Sequence, residues 1–280
     1  MTMLIEKLLE EALNRLLTET PKHLRDSIHY SLMGPGKRIR PRLTFASAEL
    51  FKIPEAAAAS AAVAIEMVHC YTLIHDDLPC MDNDDMRRGR PSNHKKFDEA
   101  TALLAGDGLM ALAVEALLEA APHVAPANLI RAVKRLTWAM GPRGVIAGQA
   151  AESQLSEKST LDDLRKMHQG KTGALFTAAL LMPADLAGIH ASSPEGQALD
   201  RFAADLGSAF QVADDLEDAE QDRENRSIAT ILRYLSPAQA KLQTRQALEK
   251  NQAALLAIWG AHSKQLCEIT DEVIRKLEKS

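Results

Sequence analysis

Apolar residues recur at spacings of three and four along most of the chain, the period at which one face of a helix is buried. These apolar stretches cover residues 4–17, 43–50, 56–74, 100–118, 129–140, 161–181, 198–216 and much of the last forty residues. Glycine and proline concentrate between the stretches, whereas the alternating pattern of a strand is nearly absent. The pattern therefore predicts an all-α protein with about ten or more helices.

The 280 residues show no composition shift and no long polar linker that would mark a domain boundary. A chain of this length buries about 75% of its unfolded surface when it folds as one unit. Two short aspartate-rich motifs hint at an internal duplication, but two short matches do not establish a repeat. We therefore expect a single large helical domain over residues 1–280.

The net charge indicates which classes of partner the chain can bind, and the cysteine content indicates the cellular compartment in which it works. The net charge is -5, and no basic stripe is present that could bind nucleic acid or an anionic membrane surface. The three cysteines are an odd number without a CxxC spacing, and the N-terminus is amphipathic rather than a leader peptide. No apolar run approaches the roughly 20 residues that a membrane helix needs. We expect a cytoplasmic protein without a membrane span.

Two aspartate-rich segments stand out: the first acidic segment, residues 76–82, and the second acidic segment, residues 214–218. Two close carboxylates repel by about 3–4 kcal/mol at an effective dielectric near 20, but by about 1 kcal/mol in water. Each segment is therefore either a solvated loop or a cation site. Oxygen ligands select Mg2+ or Ca2+, and Mg2+ completes its shell with water and phosphate oxygens. A phosphorylated small molecule is the ligand that these segments indicate.

The expected helices place the aspartates of the two segments differently. Asp76 and Asp77 come at the C-terminal end of an apolar helix that the following proline ends. Each carboxylate at a helix C-terminus interacts unfavourably with the helix dipole, which costs about 0.3–1 kcal/mol. A bound cation would offset this cost. Asp214 and Asp218 are four residues apart and share one helix face, with Asp215 alongside. A solvated helix face is the alternative for this second string.

Three basic elements could bind phosphate groups: residues 34–41, the pair Arg87 and Arg88, and residues 170–173. Glycine lets backbone amides approach an anion, lysine supplies a point charge and arginine supplies a bidentate fork. Residues 170–173 lack the upstream glycine and the strand of a Walker loop, so they do not indicate a nucleotide site. Each element alone is also compatible with a solvated, charged loop.

Five motifs, in order along nearly the whole chain, resemble the bacterial short-chain trans-prenyl diphosphate synthases, the farnesyl diphosphate synthase type in particular. The motifs are Gly36-Lys37-Arg38-Ile39-Arg40-Pro41, the run from His69 to Asp77 with Asp82, Arg87-Arg88-Gly89-Arg90-Pro91, Lys171-Thr172-Gly173-Ala174-Leu175, and Phe210-Gln211-Val212-Ala213-Asp214-Asp215 with Asp218. The resemblance implies helices around a deep central active-site cavity and a homodimer. It also implies Mg2+-dependent, head-to-tail condensation of isopentenyl diphosphate with dimethylallyl or geranyl diphosphate in isoprenoid biosynthesis.

The resemblance assigns roles to individual residues of these motifs. Metal ions would be held by Asp76, Asp77, Asp82, Asp214 and Asp218. The allylic diphosphate would be bound by Arg87, Lys171, Thr172 and Gln211, and isopentenyl diphosphate by Gly36, Lys37, Arg40, His69 and Arg88. The residues expected to act in catalysis are Asp76, Asp77, Asp82, Lys171, Asp214 and Asp215. No protein nucleophile is required, because cations aimed at the leaving diphosphate stabilise the charge that builds as its C–O bond ionises.

The depth of the pocket that holds the growing tail sets the product length. In farnesyl-type bacterial synthases an aromatic residue lies five positions before the first aspartate, and here that residue is Tyr71, followed by Thr72. The resemblance therefore implies farnesyl diphosphate as the product, with the Tyr71 ring as the floor of the pocket. Simple packing of Tyr71 in the core is the alternative, and geranyl and geranylgeranyl diphosphate stay open as products.

The chain departs from the family pattern at three places. Pro35 replaces an expected glycine, and Glu217 takes a position that is usually apolar. The segment after Asp218 is shorter than in the family and lacks its two Gly-Lys steps, and we expect Arg226-Ser227 to stand where the second Lys-Ser would be. Weaker allylic binding or a different active-site lid is compatible with these changes. A terpene cyclase is a rival class, but it would carry an Asn/Ser/Glu triad in place of the second acidic segment. A non-catalytic partner subunit is the other rival, and such subunits tend to lose an acidic cluster.

Overall fold

Helices make up almost all of the structure, a computed structural model that describes residues 1–219 and 227–279. The thirteen α-helices in this part of the chain are α1 Thr2–Leu16, α2 Lys22–Leu32, α3 Ile39–Phe51, α4 Glu55–Asp76, α5 Asn93–Lys96, α6 Glu99–Leu118, α7 Pro126–Met140, α8 Val145–Glu152, α9 Leu161–His168, α10 Ala174–Leu186, α11 Pro194–Glu217, α12 Pro237–Trp259 and α13 Lys264–Lys279. A π-helical turn, Gln169–Gly173, joins α9 to α10, and short 3-10 helices lie at Ala121–His123, Ile231–Arg233 and Gly260–Ser263. Met86–Arg87 pairs with Arg90–Pro91 as a short antiparallel hairpin.

The predicted all-α fold class is confirmed, and each predicted apolar stretch coincides with one helix or with successive helices. The stretch 161–181 is divided among α9, the π-turn and α10. The apolar pattern does not predict α2 or α8. Both helices bury few residues: α8 buries only Val145 and Gly148, so tertiary contacts rather than an apolar stripe hold it in place.

Helices α4 and α10 form the centre of the fold because they are apolar on every side. The main neighbours of α4 are α6, α3 and α10, and those of α10 are α7, α3 and α11. Ala57, Ala61 and Ala64 of α4 are fully buried, and their small side chains allow neighbouring helices to approach closely. One continuous apolar core therefore surrounds α4 and fixes its C-terminal end, where Asp76 lies.

The sequence predicts no apolar run of membrane length, but among the described residues two helices are long and apolar enough to cross a membrane by length and composition alone. In Glu55–Asp76, 83% of the most apolar 18-residue stretch is buried inside the fold. This helix is therefore apolar because it lies in the core. In Glu99–His123 the buried share is 44%, and Leu103, Leu104 and Leu118 are exposed. Helix α6 therefore carries an apolar face that the described residues do not cover.

Side-chain caps fix the start of the two helices that lead to the π-turn and to the second acidic segment. At the start of α9, Thr160 and Asp163 accept hydrogen bonds from each other's backbone amides, which is a capping box. At the start of α11, Ser193 Oγ accepts a hydrogen bond from the Gly196 amide at 3.1 Å. These caps give backbone amides in the first turn of each helix a side-chain acceptor and so stabilise both helix starts.

Candidate active site

Two large cavities open between these helices. The acidic cavity has a volume of about 700 Å3 and is lined by Tyr71, Thr72, His75, Asp76, Cys80, Met81, Asp82, Val145, Ile146, Gln149, Ala150, Glu152 and Ser153. The basic cavity has a volume of about 630 Å3 and is lined by Pro35, Gly36, Lys37, Arg38, Ile39, Arg40, Glu66, His69, Arg88, Thr172, Phe176, Phe210, Asp214, Glu217 and Lys276. The residues expected to bind isopentenyl diphosphate thus lie together in one cavity, and two aspartates of the first acidic segment lie in the other.

Asp76 and Asp82 face the acidic cavity from the two ends of the first acidic segment. Asp76 is the last residue of α4, and its carbonyl accepts a hydrogen bond from the Asp82 amide at 2.9 Å, which closes the loop between them. Burial raises the pKa of Asp76 to about 6, and the charges of Asp82 and Glu152 add to the rise while Lys171 opposes it. Burial also raises the pKa of Asp82. A cation would remove this electrostatic cost.

Asp77 points away from the acidic cavity. It is buried and lines a small cavity of about 50 Å3 instead. Its Oδ1 accepts hydrogen bonds from Arg87 Nε at 2.8 Å and from Arg87 Nη2 at 2.5 Å, and Arg87 also binds Asp84 at 2.7 Å. In this structure Asp77 therefore orients the Arg87 guanidinium and does not share the cavity of Asp76.

Lys171 and Glu152 form an ion pair beside the first acidic segment. The Lys171 Nζ donates to Glu152 Oε2 at 2.5 Å, and both side chains are about three-quarters buried. Glu152, the last residue of α8, lines the acidic cavity with Asp76 and Asp82. Sequence reasoning misses Glu152, because its only signal is an acidic residue at the end of a short run of small residues.

The Lys171 position depends on a close approach of two backbones. Helix α8 contacts the π-turn at Gly148 and Gly170, where a Cβ on Gly148 would lie 2.6 Å from the Gly170 carbonyl carbon and 2.6 Å from Lys171 Cα. No side chain fits between these backbones. The two glycines therefore bring Glu152 and Lys171, from separate helical elements, into one ion pair. A π-turn of this kind is frequent at functional sites.

Asp215, in the second acidic segment, is buried and holds other parts of the chain. Its Oδ2 accepts a hydrogen bond from the Ile231 amide at 2.6 Å, and its Oδ1 accepts one from Gln211 Nε2 at 3.0 Å. Gln211 Oε1 in turn accepts from Thr172 Oγ1 at 3.1 Å. This chain of hydrogen bonds ties α11 to the π-turn and to the chain that returns at residue 231. Arg226, expected to replace a lysine, lies outside the described residues.

Asp214 and Glu217 share a cation from the C-terminal helix. The Lys276 Nζ lies 2.6 Å from Asp214 Oδ1 and 3.0 Å from Glu217 Oε2. Burial works to lower the pKa of Lys276, but the hydrogen bonds to Asp214 and Glu217 outweigh it and raise the pKa. Glu217, an unusual residue for this position by resemblance, thus pairs with Lys276. Asp218 follows as the C-terminal cap of α11.

The basic cavity concentrates cations around a neutral histidine. The Arg40 guanidinium lies 5.0 Å above the Phe176 ring, and burial lowers its pKa to about 10. Burial also drives the pKa of His69 well below its usual value, and Arg40 and Arg88 add to that shift. His69 Nε2 therefore accepts a hydrogen bond from Arg88 Nη2 at 3.2 Å. Arg88 Nη1 donates to the Pro35 carbonyl at 3.1 Å, which fixes this arginine against Pro35 and Gly36.

Tyr71 forms part of the wall of the acidic cavity and is held firmly. Its hydroxyl donates to the Met140 carbonyl at 2.5 Å, and its ring meets the His75 ring edge to face with centroids 5.8 Å apart. Thr72 also lines the cavity, and its hydroxyl donates to the His69 carbonyl at 2.8 Å. The ring of Tyr71 is thus both a cavity wall and a packed core group.

The acidic side chains are spread out rather than gathered into one cage. In the described ranges, no group of three or more His, Cys, Asp or Glu side chains is close enough to hold a metal ion by itself. Mg2+ does not require such a cage, because it usually takes one or two carboxylates and keeps water and phosphate ligands. The raised pKa of Asp76 and the Lys276 ammonium beside Asp214 indicate places where a cation is favourable. The donor set therefore fits Mg2+ bound together with a diphosphate.

Comparisons with known proteins bear on the family and the fold of the chain. A family model described as polyprenyl synthetase matches residues 21–265. The chain is 44% identical over 215 residues to a farnesyl diphosphate synthase of Geobacillus stearothermophilus, covering 75% of this chain and 72% of that one. It is 40% identical over 222 residues to a chloroplastic geranylgeranyl pyrophosphate synthase of Capsicum annuum, covering 79% of this chain and 59% of the plant protein. A geranyltransferase structure from Legionella pneumophila has a TM-score of 0.90 and 33% identity, covering 98% of this chain and 94% of that one.

Proposed function

Because this chain belongs to the polyprenyl synthetase family, we propose that it is a Mg2+-dependent trans-prenyltransferase that condenses isopentenyl diphosphate with dimethylallyl or geranyl diphosphate to make farnesyl diphosphate. The observation that carries the proposal is the combination of an acidic and a basic cavity, with Lys171 next to the acidic groups and Thr172 in the wall of the basic cavity. The acidic cavity suits a diphosphate that arrives with metal ions, and the arginine and lysine side chains of the basic cavity suit a second diphosphate, with Asp214 in the same wall.

We assign Mg2+ binding to Asp76 and Asp82 on one side and to Asp214 and Asp218 on the other. When bound, Mg2+ supplies positive charge that stabilises the departing diphosphate. Burial raises the pKa values of Asp76 and Asp82 because it disfavours their ionised carboxylates. A bound cation would stabilise these negative charges. Lys276 occupies the Asp214 carboxylate in this structure and would give way to the ion.

Asp77 and Asp215 have a supporting role in this proposal. Asp77 holds Arg87, and Asp215 holds Gln211 and the Ile231 amide. Their carboxylates are already used in these hydrogen bonds. They keep the diphosphate-binding side chains in place and contribute to catalysis through them.

The remaining chemistry is positioning. Lys171 and Arg87 bind the allylic diphosphate, and its C–O bond ionises as charge moves onto the diphosphate oxygens. Lys37, Arg40 and Arg88 hold isopentenyl diphosphate, whose double bond attacks the allylic carbon. His69 is already an acceptor for Arg88, so it positions that arginine. The proton lost from the new tail passes to the departing diphosphate.

Product analysis tests this function directly. Purified protein is incubated with Mg2+, isopentenyl diphosphate and either dimethylallyl or geranyl diphosphate, and the products are sized by chromatography. We expect farnesyl diphosphate from both primers. A failure to elongate either primer contradicts the proposal, and a cyclic hydrocarbon made without isopentenyl diphosphate would instead identify a terpene cyclase.

Tyr71 is expected to limit the tail length. In Tyr71→Ala the ring leaves the wall of the acidic cavity and opens space toward Met140, so the main product should become longer than farnesyl diphosphate. The matched control is Tyr71→Phe, which keeps the ring, loses only the hydrogen bond to the Met140 carbonyl, and should keep the wild-type product. An unchanged product from Tyr71→Ala would assign the floor to another residue.

We propose that two copies of the chain associate through the exposed face of α6. Leu104 and Leu118 are about half exposed and lie near one face of this helix, which is apolar and only partly covered. Light scattering should give twice the monomer mass. The double change Leu104→Glu with Leu118→Glu should give the monomer, whereas Leu242→Glu on α12, also exposed, should leave the dimer intact. A wild-type monomer contradicts this part of the proposal.

The other expectations from the sequence remain proposals of the same kind. We propose that the chain works as one domain in the cytoplasm, with diphosphate substrates and without nucleic acid. The continuous core shared by the described helices and the net charge of -5 support this.

A further inference from the structure

The most buried ion pair in the described part of the chain joins the wall of the basic cavity to the core. Arg38 Nη1 donates to Glu66 Oε1 at 2.7 Å, and the two side chains are only 2% and 3% exposed. Arg38 Nη2 donates to the Gly34 carbonyl at 2.7 Å. Glu66 lies three residues before His69 on α4, so both face the same side of that helix. The steps proposed above use neither Arg38 nor Glu66.

Arg38 has an unusual backbone conformation. Its φ is 49°, in the left-handed region, and it caps the start of α3. Non-glycine residues hold this conformation when the surroundings fix it. Here Arg38 is buried while its neighbour Lys37 is exposed to the basic cavity, and Arg40 follows within the first turn of α3. The ion pair to Glu66 therefore anchors the loop that presents Lys37 and Arg40.

Glu66 is also a carboxylate whose charge acts on the other cations of the cavity. Burial lowers the pKa of Arg40 and of Arg88, and the charge of Glu66 opposes that decrease in both cases. The arginines act on one another in the reverse direction: Arg88 lowers the pKa of Arg40, and Arg38 lowers that of Arg88. Three guanidinium groups and the Glu66 carboxylate thus line the same cavity, together with Asp214, whose charge also opposes the decrease in the pKa of Arg40.

One oxygen of this carboxylate is not used by Arg38. Glu66 Oε2 is buried and has no hydrogen-bond partner among the described residues, although a buried ionised oxygen normally has one. Glu66 lines the basic cavity itself. Arg38 therefore uses only one oxygen of Glu66, and the charge of the carboxylate acts on Arg40 and Arg88 as well.

We propose that Glu66 is the resident counter-ion of the basic cavity: its carboxylate offsets part of the positive charge of Arg38, Arg40 and Arg88 when no diphosphate is present, and it lowers the affinity of the cavity for an anion. The inference rests on the proposed binding of a diphosphate in this cavity. Because one negative charge offsets part of this positive charge, repulsion among the cations of the empty site is smaller, and a diphosphate binds in a weaker positive field. Glu66 is thus a positioning residue with two effects. It stabilises the site when no anion is bound, and it lowers the affinity of the site for an anion.

Glu66→Gln tests the counter-ion role, because it removes the charge and keeps an oxygen that can accept from Arg38. The probe is inorganic pyrophosphate in buffer with EDTA and without metal ions, which disfavours binding by the acidic cavity. Calorimetry should show a Kd about tenfold lower than in wild type, the effect of one nearby charge. The Tm should be lower without pyrophosphate and should rise more than in wild type when pyrophosphate is added. A purely structural role predicts an equal or higher Kd.

Two further variants separate charge from packing. The double change Glu66→Gln with Arg38→Gln restores the net charge of the cavity, so its Kd should return toward wild type. Arg38→Gln alone leaves Glu66 unpaired beside Arg40 and Arg88 and should raise the Kd, even if Glu66→Gln does not fold. The inference is overturned if Glu66→Gln binds no more tightly than wild type, or if Arg38→Gln alone does not raise the Kd. Absence of pyrophosphate binding by the wild type instead contradicts the proposed function of the basic cavity.

Discussion

Replacing Asp76 with Asn should reduce elongation by about a thousandfold or more, because it removes a carboxylate assigned to metal binding without changing the shape of the site. Asp76 is the best placed of the acidic residues for this role. It ends α4, it lines the acidic cavity, and burial raises its pKa to about 6. A group held in this way is unfavourable to the fold unless a cation compensates it. The measurement is the initial rate with geranyl and isopentenyl diphosphate at saturating Mg2+.

Although it loses activity, the Asp76→Asn variant should be more stable than wild type when metal is absent. The pKa of Asp76 rises from 3.8 in the unfolded chain to about 6 in the fold, so the folded protein binds the proton more tightly. Its contribution to the free energy of unfolding is therefore fully present below pH 4 and is lost as the pH rises through about 6. With EDTA at pH 8, Asp76→Asn should unfold at a higher denaturant concentration than wild type.

The matched control is Asp85→Asn. Asp85 is exposed, pairs with Lys95 at 2.8 Å and lies outside both cavities, so the rate should be unchanged. Its pKa is lowered by the hydrogen bond from Lys95, so this change should not stabilise the metal-free protein at pH 8. If Asp76→Asn retained wild-type elongation, the assignment of metal binding to the first acidic segment would be wrong.

The sequence is sufficient to identify the two acidic segments as candidate sites. It is not sufficient to tell which aspartates of each segment face a cavity. Successive residues on a helix point about 100° apart, so two adjacent aspartates cannot face one cavity equally. Asp76 faces the acidic cavity and Asp77 faces Arg87. Asp215 is likewise buried, whereas Asp214 lines the basic cavity. The resemblance predicts a role in catalysis for all of these aspartates. The helix geometry decides which cavity or partner each side chain faces.

Pairs between distant parts of the chain were beyond prediction for a different reason. Glu152 and Lys171 come from α8 and the π-turn, and Glu217 and Lys276 come from α11 and α13. An apolar period predicts that a helix has a buried face, but it does not say which helix covers it. The sequence identifies Glu217 as unusual, and the packing of α13 supplies its partner.

Gly148→Ala should be among the most damaging single changes outside the charged residues. The added Cβ would lie 2.6 Å from the Gly170 carbonyl carbon and from Lys171 Cα. These are backbone atoms that cannot turn aside as a side chain can, so α8 and the π-turn must separate. We expect a loss of about 3 kcal/mol in the free energy of unfolding, the upper range for inserting a methyl group into a packed core. Chemical denaturation at neutral pH measures it.

The position of Gly148 also predicts a loss of function beyond the loss of stability. Separating the two backbones moves Lys171 away from Glu152 and from the first acidic segment, so elongation should fall even at temperatures where the variant is fully folded. Gly108→Ala is the matched control, since its Cβ would meet only Ile28 Cδ1, at an ordinary 3.4 Å. That change should stabilise α6 by about 0.5–1 kcal/mol and leave the rate unchanged. Equal behaviour of the two variants would show that the contact between α8 and the π-turn does not position Lys171.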